Sequence, residues 1–214
     1  AGERTEKKAV IDPANGRFWF REAPASVDVP VSHYGFSAEI GAGTYDRRSF
    51  LVEEPTVEFS DGTMDVSTLS PVDVVEITDS KTYEPTGDIT GIEDLVIQAS
   101  STERPYIVRK SADATWTLAA STTAEQRKLT LEGLWLGVEP ITPVVSSGPE
   151  PDPQQSDLVL DGDFDEVVIR HCTLDPGGER ARLDPANPGE TIHSVRILVK
   201  GTVQKLVIES SIVG

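Results

Sequence analysis

The chain has 214 residues, with 36 acidic side chains against 19 Lys and Arg, and a formal charge of −17 at neutral pH. That balance repels polyphosphate and anionic lipid, so neither a nucleic-acid interface nor an acidic membrane surface is expected as a partner, and no apolar run approaches the roughly 18 residues of a membrane span. Cys172, the single cysteine, excludes an intrachain disulfide and any multi-cysteine metal site, while 17 Gly and 15 Pro suit short strands joined by turns.

The N-terminal "AGERTEKKAVIDPANGRF" has neither an initiator Met nor the apolar core of a signal peptide, and reads as the start of a processed or excerpted chain. "GRFWF" (16–20), "SVDVPVSHYGFSAEIGAG" (26–43), "SFLVEEPTVEF" (49–59) and "MDVSTL" (64–69) predict strands separated by Pro or Gly turns. "GAGTYD" (41–46) lacks the third glycine and the following helix of a phosphate loop, and reads as a plain turn. Residues 1–70 are assigned to a β-rich capping region that leads into the repeats. "DVVEIT" (73–78) leads in; "DIT" (88–90), "DLVIQAS" (94–100) and "PYIVR" (105–109) make one coil; "TWTLAAS" (115–121) opens the next. "TAEQRK" (123–128) is too short to stand as a helix.

From Lys128 onward a repeat becomes explicit. "KLTLEGLWLG" (128–137), "EVVIRHCTLD" (166–175) and "KLVIESSIVG" (205–214) align when Leu129 is set against Val167 and Val167 against Leu206. Nearly the same shift sets "DLVLDGD" (157–163) against "RILVKGT" (196–202), pairing Leu158 with Ile197 and Leu160 with Val199. The aligned apolar sets are Leu129, Leu131, Leu134 and Leu136; Val167, Ile169, Cys172 and Leu174; Leu206, Ile208, Ser211 and Val213. Alternation of period two within each piece marks pleated strands, and a two-residue corner resets which side faces in. Three short strands per repeat in fixed register predict an all-β fold, a right-handed parallel β-helix occupying residues 71–214, because a lone coil cannot bury its apolar face and stacked coils can. A β-sandwich, the competing arrangement, gives no reason for a register that holds from one repeat to the next. The long period contains two insertions, 137–156 and 175–194, expected to leave at one corner. Ending on a complete coil leaves an open rung, so a longer chain or a covering partner is expected.

Outward residues of adjacent coils stack roughly 4.8 Å apart, which puts Glu132, Arg170 and Glu209 in one column. Two carboxylates two rungs apart, roughly 9–10 Å, approach the separation of an inverting glycosidase, so these three are the catalytic candidates against a plain surface charge ladder. Asp161, Asp163 and Asp165 alternate in "DGDFDE" and could offer oxygens to Ca²⁺, the one cofactor considered, although the spacing lacks the glycine and distal Glu of a helix–loop–helix site and Lys200 stacks beside Asp161. Cys172 takes an inward position and should behave as a small core residue. Trp135, Thr173 and Ile212 form a second outward column, either covered by a loop or the N-terminal region or, through Trp135, a sugar-stacking or protein-contact surface.

"LTLEGLWLG", "VVIRHCTLDPGG" and "LVIESSIVG" resemble coils of pectin-lyase-like right-handed parallel β-helix proteins. With "YGFSAEIGAGTYDRR" (34–48) they are similar to a group of large bacterial proteins associated with phage-tail-like or contractile-injection gene clusters, over most of residues 26–214. The resemblance implies a structural or recognition module of a larger protein, in a bacterial cytoplasm or on a particle, with other subunits or further coils of the same chain as partners. It also offers two alternatives: a polysaccharide lyase or glycoside hydrolase acting on an acidic glycan, and a glycan-binding module. The family's lyases carry acidic calcium ligands and a basic catalytic residue on an outer sheet, and its hydrolases carry clustered aspartates there. Here that sheet offers only Glu132, Arg170 and Glu209.

Overall fold

A computed structural model of the protein describes residues 9–12, 17–20, 39–109, 115–138, 156–180 and 190–213. The chain divides into two compact units, Ala1–Phe36 and Ser37–Gly214. In the first, β1 (Ala9–Asp12) and β2 (Arg17–Phe20) pair antiparallel, with Ala9 opposite Phe20.

The second unit is all-β and is built almost entirely from parallel ladders. Its strands are β3 (Val57–Phe59), β4 (Thr63–Met64), β5 (Val74–Ile77), β6 (Thr82–Pro85), β7 (Ile89–Ile92), β8 (Asp94–Ala99), β9 (Tyr106–Arg109), β10 (Thr115–Ala120), β11 (Lys128–Glu132), β12 (Trp135–Val138), β13 (Ser156–Arg170), β14 (Thr173–Leu174), β15 (Pro176–Arg180) and β16 (Glu190–Glu209). One ladder runs β3-β5-β8-β11-β13-β16, and a second runs β4-β6-β9-β12-β14. A third joins β7 to β10 and β10 to the first half of β13. The long strands β13 and β16 belong to two ladders because each bends at a glycine with positive φ, Gly162 at 84° and Gly201 at 134°. Gly201 needs to be a glycine, since a Cβ there would collide with the Gly162 backbone.

The register follows the sequence alignment. Leu129 lies opposite Val167, Leu131 opposite Ile169, Ile169 opposite Ile208, Leu158 opposite Ile197 and Leu160 opposite Val199. One inward column can be followed over six rungs, through Val57, Val75, Ile97, Leu131, Ile169 and Ile208. Its members from Val75 to Ile169 are fully buried. Each buried aliphatic side chain contributes about 1.5–3 kcal/mol, and the stacked columns supply the core.

Several expectations change. Parallel pairing begins at Val57, inside the segment assigned to the capping region, and the unit boundary falls between Phe36 and Ser37. The first ladder steps from Val57 to Val75 and from Val74 to Val96, far shorter advances than the later one from Leu129 to Val167. These short early rungs therefore carry no echo of the later period. Residues 39–56 do not form the predicted strands; those expected within 21–38 lie outside the described residues. Within 64–69, β4 ends at Met64 and a 3-10 turn, Val66–Thr68, follows, capped by the Asp65 side chain. The insertion at 175–194 begins and ends as a ribbon in which β15 pairs antiparallel with the start of β16, Pro176 opposite Ser194. Residues 139–155 of the other insertion lie outside the described residues. Among the described residues no helix is long and apolar enough to cross a membrane.

Candidate functional site

The outer face of the first ladder carries a column of polar residues, Glu58, Glu76, Gln98, Glu132, Arg170 and Glu209, one from each rung. The predicted stacking of Glu132, Arg170 and Glu209 is therefore present. The expectation that this column faces solvent needs correcting at Gln98 and Glu132, because residues 41–52 lie across them as a strap, while Glu58 and Glu209 at its ends stay exposed. Gly41 N–H donates to Ser210 O at 2.7 Å, and Ala42 N–H to Thr173 Oγ1 at 2.9 Å. Further along, Arg47 N–H donates to Ser101 Oγ at 3.1 Å. Val52 pairs its N–H and C=O with the Gln98 side-chain amide, both at 2.9 Å. The strap thus crosses the stack from the last rung to β8, and Gln98 and Glu132 are buried beneath it.

Arg47 is the centre of this arrangement and is fully buried. Its Nη1 donates to Gly43 O at 2.5 Å, and its Nη2 to Glu103 O at 2.8 Å and Ser100 O at 3.0 Å. A planar guanidinium with five N–H donors suits a corner where a turn leaves several carbonyls without partners. Its Nε lies 3.7 Å from Glu132 Oε1. The same oxygen shares a 2.7 Å hydrogen bond with His171 Nδ1. Glu132 Oε2 makes no hydrogen bond and faces Arg170 Nε at 3.6 Å; Arg170 Nε is also 3.7 Å from Glu209 Oε2. Tyr45 and Phe50 of the strap close over His171 edge-on, with ring centroids 5.6 and 4.6 Å away, and Arg170 lies over the Phe50 ring.

The electrostatics follow from that enclosure. Burial pushes the Glu132 carboxyl above its ordinary value, against the opposing pull of His171, Arg170 and Arg47. Burial also raises the Tyr45 phenol to about 12 and the Cys172 thiol to about 12. Cys172 is thus an inert core thiol, as its inward position predicts. The corner beneath Arg47 is Gly133, φ 74°, where an added Cβ would come within 2.6–2.7 Å of the guanidinium. The equivalent corners of the next rungs are His171 and Ser210, at φ 49° and 47°. All three positions share the left-handed backbone, so the close approach of Arg47 is what singles out glycine at 133.

Chemically this assembly is a clamp. Glu132, 1% exposed and ringed by two guanidinium groups and an imidazole, has no open face for a glycan, while Glu209 on the outer rung is 57% exposed. Arg47 and His171 escape a sequence reading of the site. The available signal is the six-membered polar column, which needs a donor-rich cover, but nothing periodic in 41–52 marks that segment as the cover.

The other candidates lie elsewhere. Trp135 Nε1–H donates to Asp175 Oδ1 at 2.6 Å, its ring packs against Tyr106, and the Arg104 guanidinium sits 4.9 Å over it. Gly41 of the strap packs on Thr173 and Ile212 in the same outward column. Asp161 lies opposite Lys200, and Asp163 Oδ1 accepts from Thr202 N–H at 3.1 Å. Asp165 accepts from Arg127 N–H and Gln204 Nε2 at 2.8 and 2.9 Å. Among the described residues no three His, Cys, Asp or Glu side chains converge on a metal position.

Among the described residues β16 presents an exposed edge. From Val195 to Glu209 it pairs on one side, with β13, and no other ladder occupies its far side among the described residues. Leu198, Val199, Leu206 and Ile208 are 37–45% exposed, although Val159, Leu160, Val167 and Ile169 at the same register positions of β13 are buried. Comparison with known proteins gives no further guide: no family model, curated protein or solved structure matches the chain.

Proposed function

We propose that this protein is a structural module, a right-handed parallel β-helix that works in a larger assembly by stacking, with β16 as the edge on which a further rung of polypeptide is laid. The observation that carries the reading is the row of half-exposed aliphatic side chains along β16, set in register over fully buried equivalents on β13. Such a row, on a strand edge that no other ladder occupies among the described residues, is a template for strand addition. The covered Glu132 column supports a scaffold in preference to a polysaccharide-cleaving groove. An assembly of the phage-tail-like kind is what the resemblance of the coil motifs adds to this reading.

Hydrogen exchange tests it directly. The protein is compared as a purified chain and in the native particle recovered by sedimentation from its source lysate. Amides of 196–209 should exchange slowly in the particle and faster in the purified chain. Recovery solely as a free monomer, with those amides exchanging freely, would overturn the reading.

A further inference from the structure

From β11 outward the charges along the first ladder alternate in sign up to β16, whereas the early rungs set Glu58 beside Glu76. Lys128 stacks between Asp94 and Glu166, and Arg170 stacks between Glu132 and Glu209, so each of these cations sits between carboxylates on both neighbouring rungs. The same alternation continues outward: Asp157 lies opposite Arg196, Asp161 opposite Lys200, Glu166 opposite Lys205, and Arg170 opposite Glu209. Two of these pairs close at short range, Lys205 Nζ to Glu166 Oε1 at 2.5 Å and Arg196 Nε to Asp157 Oδ1 at 2.8 Å. On β16 these three cations and Glu209 have opposite charge on the inner side, and their outer side faces the edge that no ladder occupies among the described residues.

We infer that the occupant of this edge is a parallel polypeptide rung of defined charge pattern, with acids opposite Arg196, Lys200 and Lys205, a base opposite Glu209, and aliphatic residues opposite Ile197, Val199, Leu206 and Ile208. The inference rests on the stacking reading above and adds its recognition rule. The aliphatic positions continue the inward columns and supply most of the contact, while the charged positions select register and direction, because a one-residue slip would point every aliphatic group outward. Parallel polarity continues the pairing that joins every earlier rung of this ladder, up to β13 with β16. An occupant of inverted sign would place like charges side by side at four positions, which penalises the wrong partner more than the matched one gains.

The test uses the full chain and two synthetic peptides, each long enough to pair with Arg196–Glu209. Both carry identical aliphatic positions; one has Asp at the three acidic sites and Lys at the fourth, and the other has those signs reversed. Fluorescence anisotropy at low salt should give at least about tenfold tighter binding of the acid-patterned peptide, from four cross-strand pairs. The gap should narrow as salt is raised. The K200E/K205E variant should shift the preference towards the reversed peptide. Equal affinities, with β16 amides protected by both peptides, would overturn the charge rule and leave stacking intact. Failure of both peptides to bind or protect β16 would overturn the rule and the stacking reading together.

Discussion

Ile169 and Ile208 occupy the same column on successive rungs, yet the first is fully buried and the second 45% exposed. On the outer face the same pair of strands holds Arg170 and Glu209, and one rung further in Glu132 is 1% exposed where Glu209 is 57%. Side-chain type does not explain either contrast. On the inner face, burial is conferred by the rung stacked above. On the outer face, it is conferred by the strap at residues 41–52. A stack of this kind therefore has two covers, one for each face, and they meet at the last rung, where Gly41 N–H donates to Ser210 O.

The largest expected effect breaks the inner half of that contrast. Ile169→Asp places an unpaired carboxylate inside the stack and should unfold the protein, a loss above about 4 kcal/mol. Ile208→Asp should cost under about 1 kcal/mol in the purified chain, because the carboxylate can reach water. Val168→Asp, half-buried on the outward side of β13 between the buried Val167 and Ile169, should also be tolerated. Urea denaturation of the three variants checks the ordering, and equal losses at Ile169 and Ile208 would show that the last rung is covered in solution.

Next in size is the strap. Arg47→Met keeps a long side chain but removes the hydrogen bonds to the Gly43, Ser100 and Glu103 carbonyls and strips one counter-charge from Glu132, and should cost about 3–5 kcal/mol, as expected for breaking a buried ionic group. Loss of the strap should be visible as faster exchange of the Val52 amide, which is held by Gln98. A cost below about 1 kcal/mol would mean that the strap is held by its aromatic contacts and by the bonds of Gly41, Ala42 and Val52.

Gly133→Asn is a finer probe of the same contact. Asparagine accepts left-handed φ, so its cost measures the collision with Arg47 and should be about 1–3 kcal/mol. Ser210→Asn, at the equivalent corner of the last rung, should be close to neutral. Similar losses at both would assign the requirement for glycine to backbone conformation.

These contrasts also explain what the sequence could yield. The inner columns from Leu129 to Ile208 are legible because inward packing imposes a period of two within strands and a constant shift between rungs, and both survive in the letters. β3 and β4 escape that search because their rungs carry no insertions and so advance by a shorter step, Val57 to Val75 and Met64 to Pro85. Glu132 and Arg170 can be placed in a column from the register, but their burial depends on Arg47, Tyr45 and Phe50 arriving from a segment with no regular pattern. Strand partners are encoded by repetition; a strap is encoded by a few side chains that fit one corner, and Gly133 is its main trace in the repeat.

The smallest effect concerns the charge on Glu132 and is read as a slope. Because burial raises its carboxyl in the folded protein, the contribution of Glu132 to stability is full below the ordinary glutamate range and is lost as pH rises through the raised folded value. Asp46, Asp65 and Glu166, lowered mainly by Arg48, Ser67 and Lys205 respectively, run the other way: their contributions are present above the ordinary carboxylate range and fade as pH falls through the lowered folded values. Glu132→Gln removes the first dependence and leaves the others, and the amide retains a partner for His171. In urea melts from about pH 4 to about pH 7, the variant should therefore gain on the wild type as pH rises. A gain on lowering the pH instead would mean that Arg47 and Arg170 outweigh burial at this carboxylate, making the clamp a true ion cluster that holds its charge.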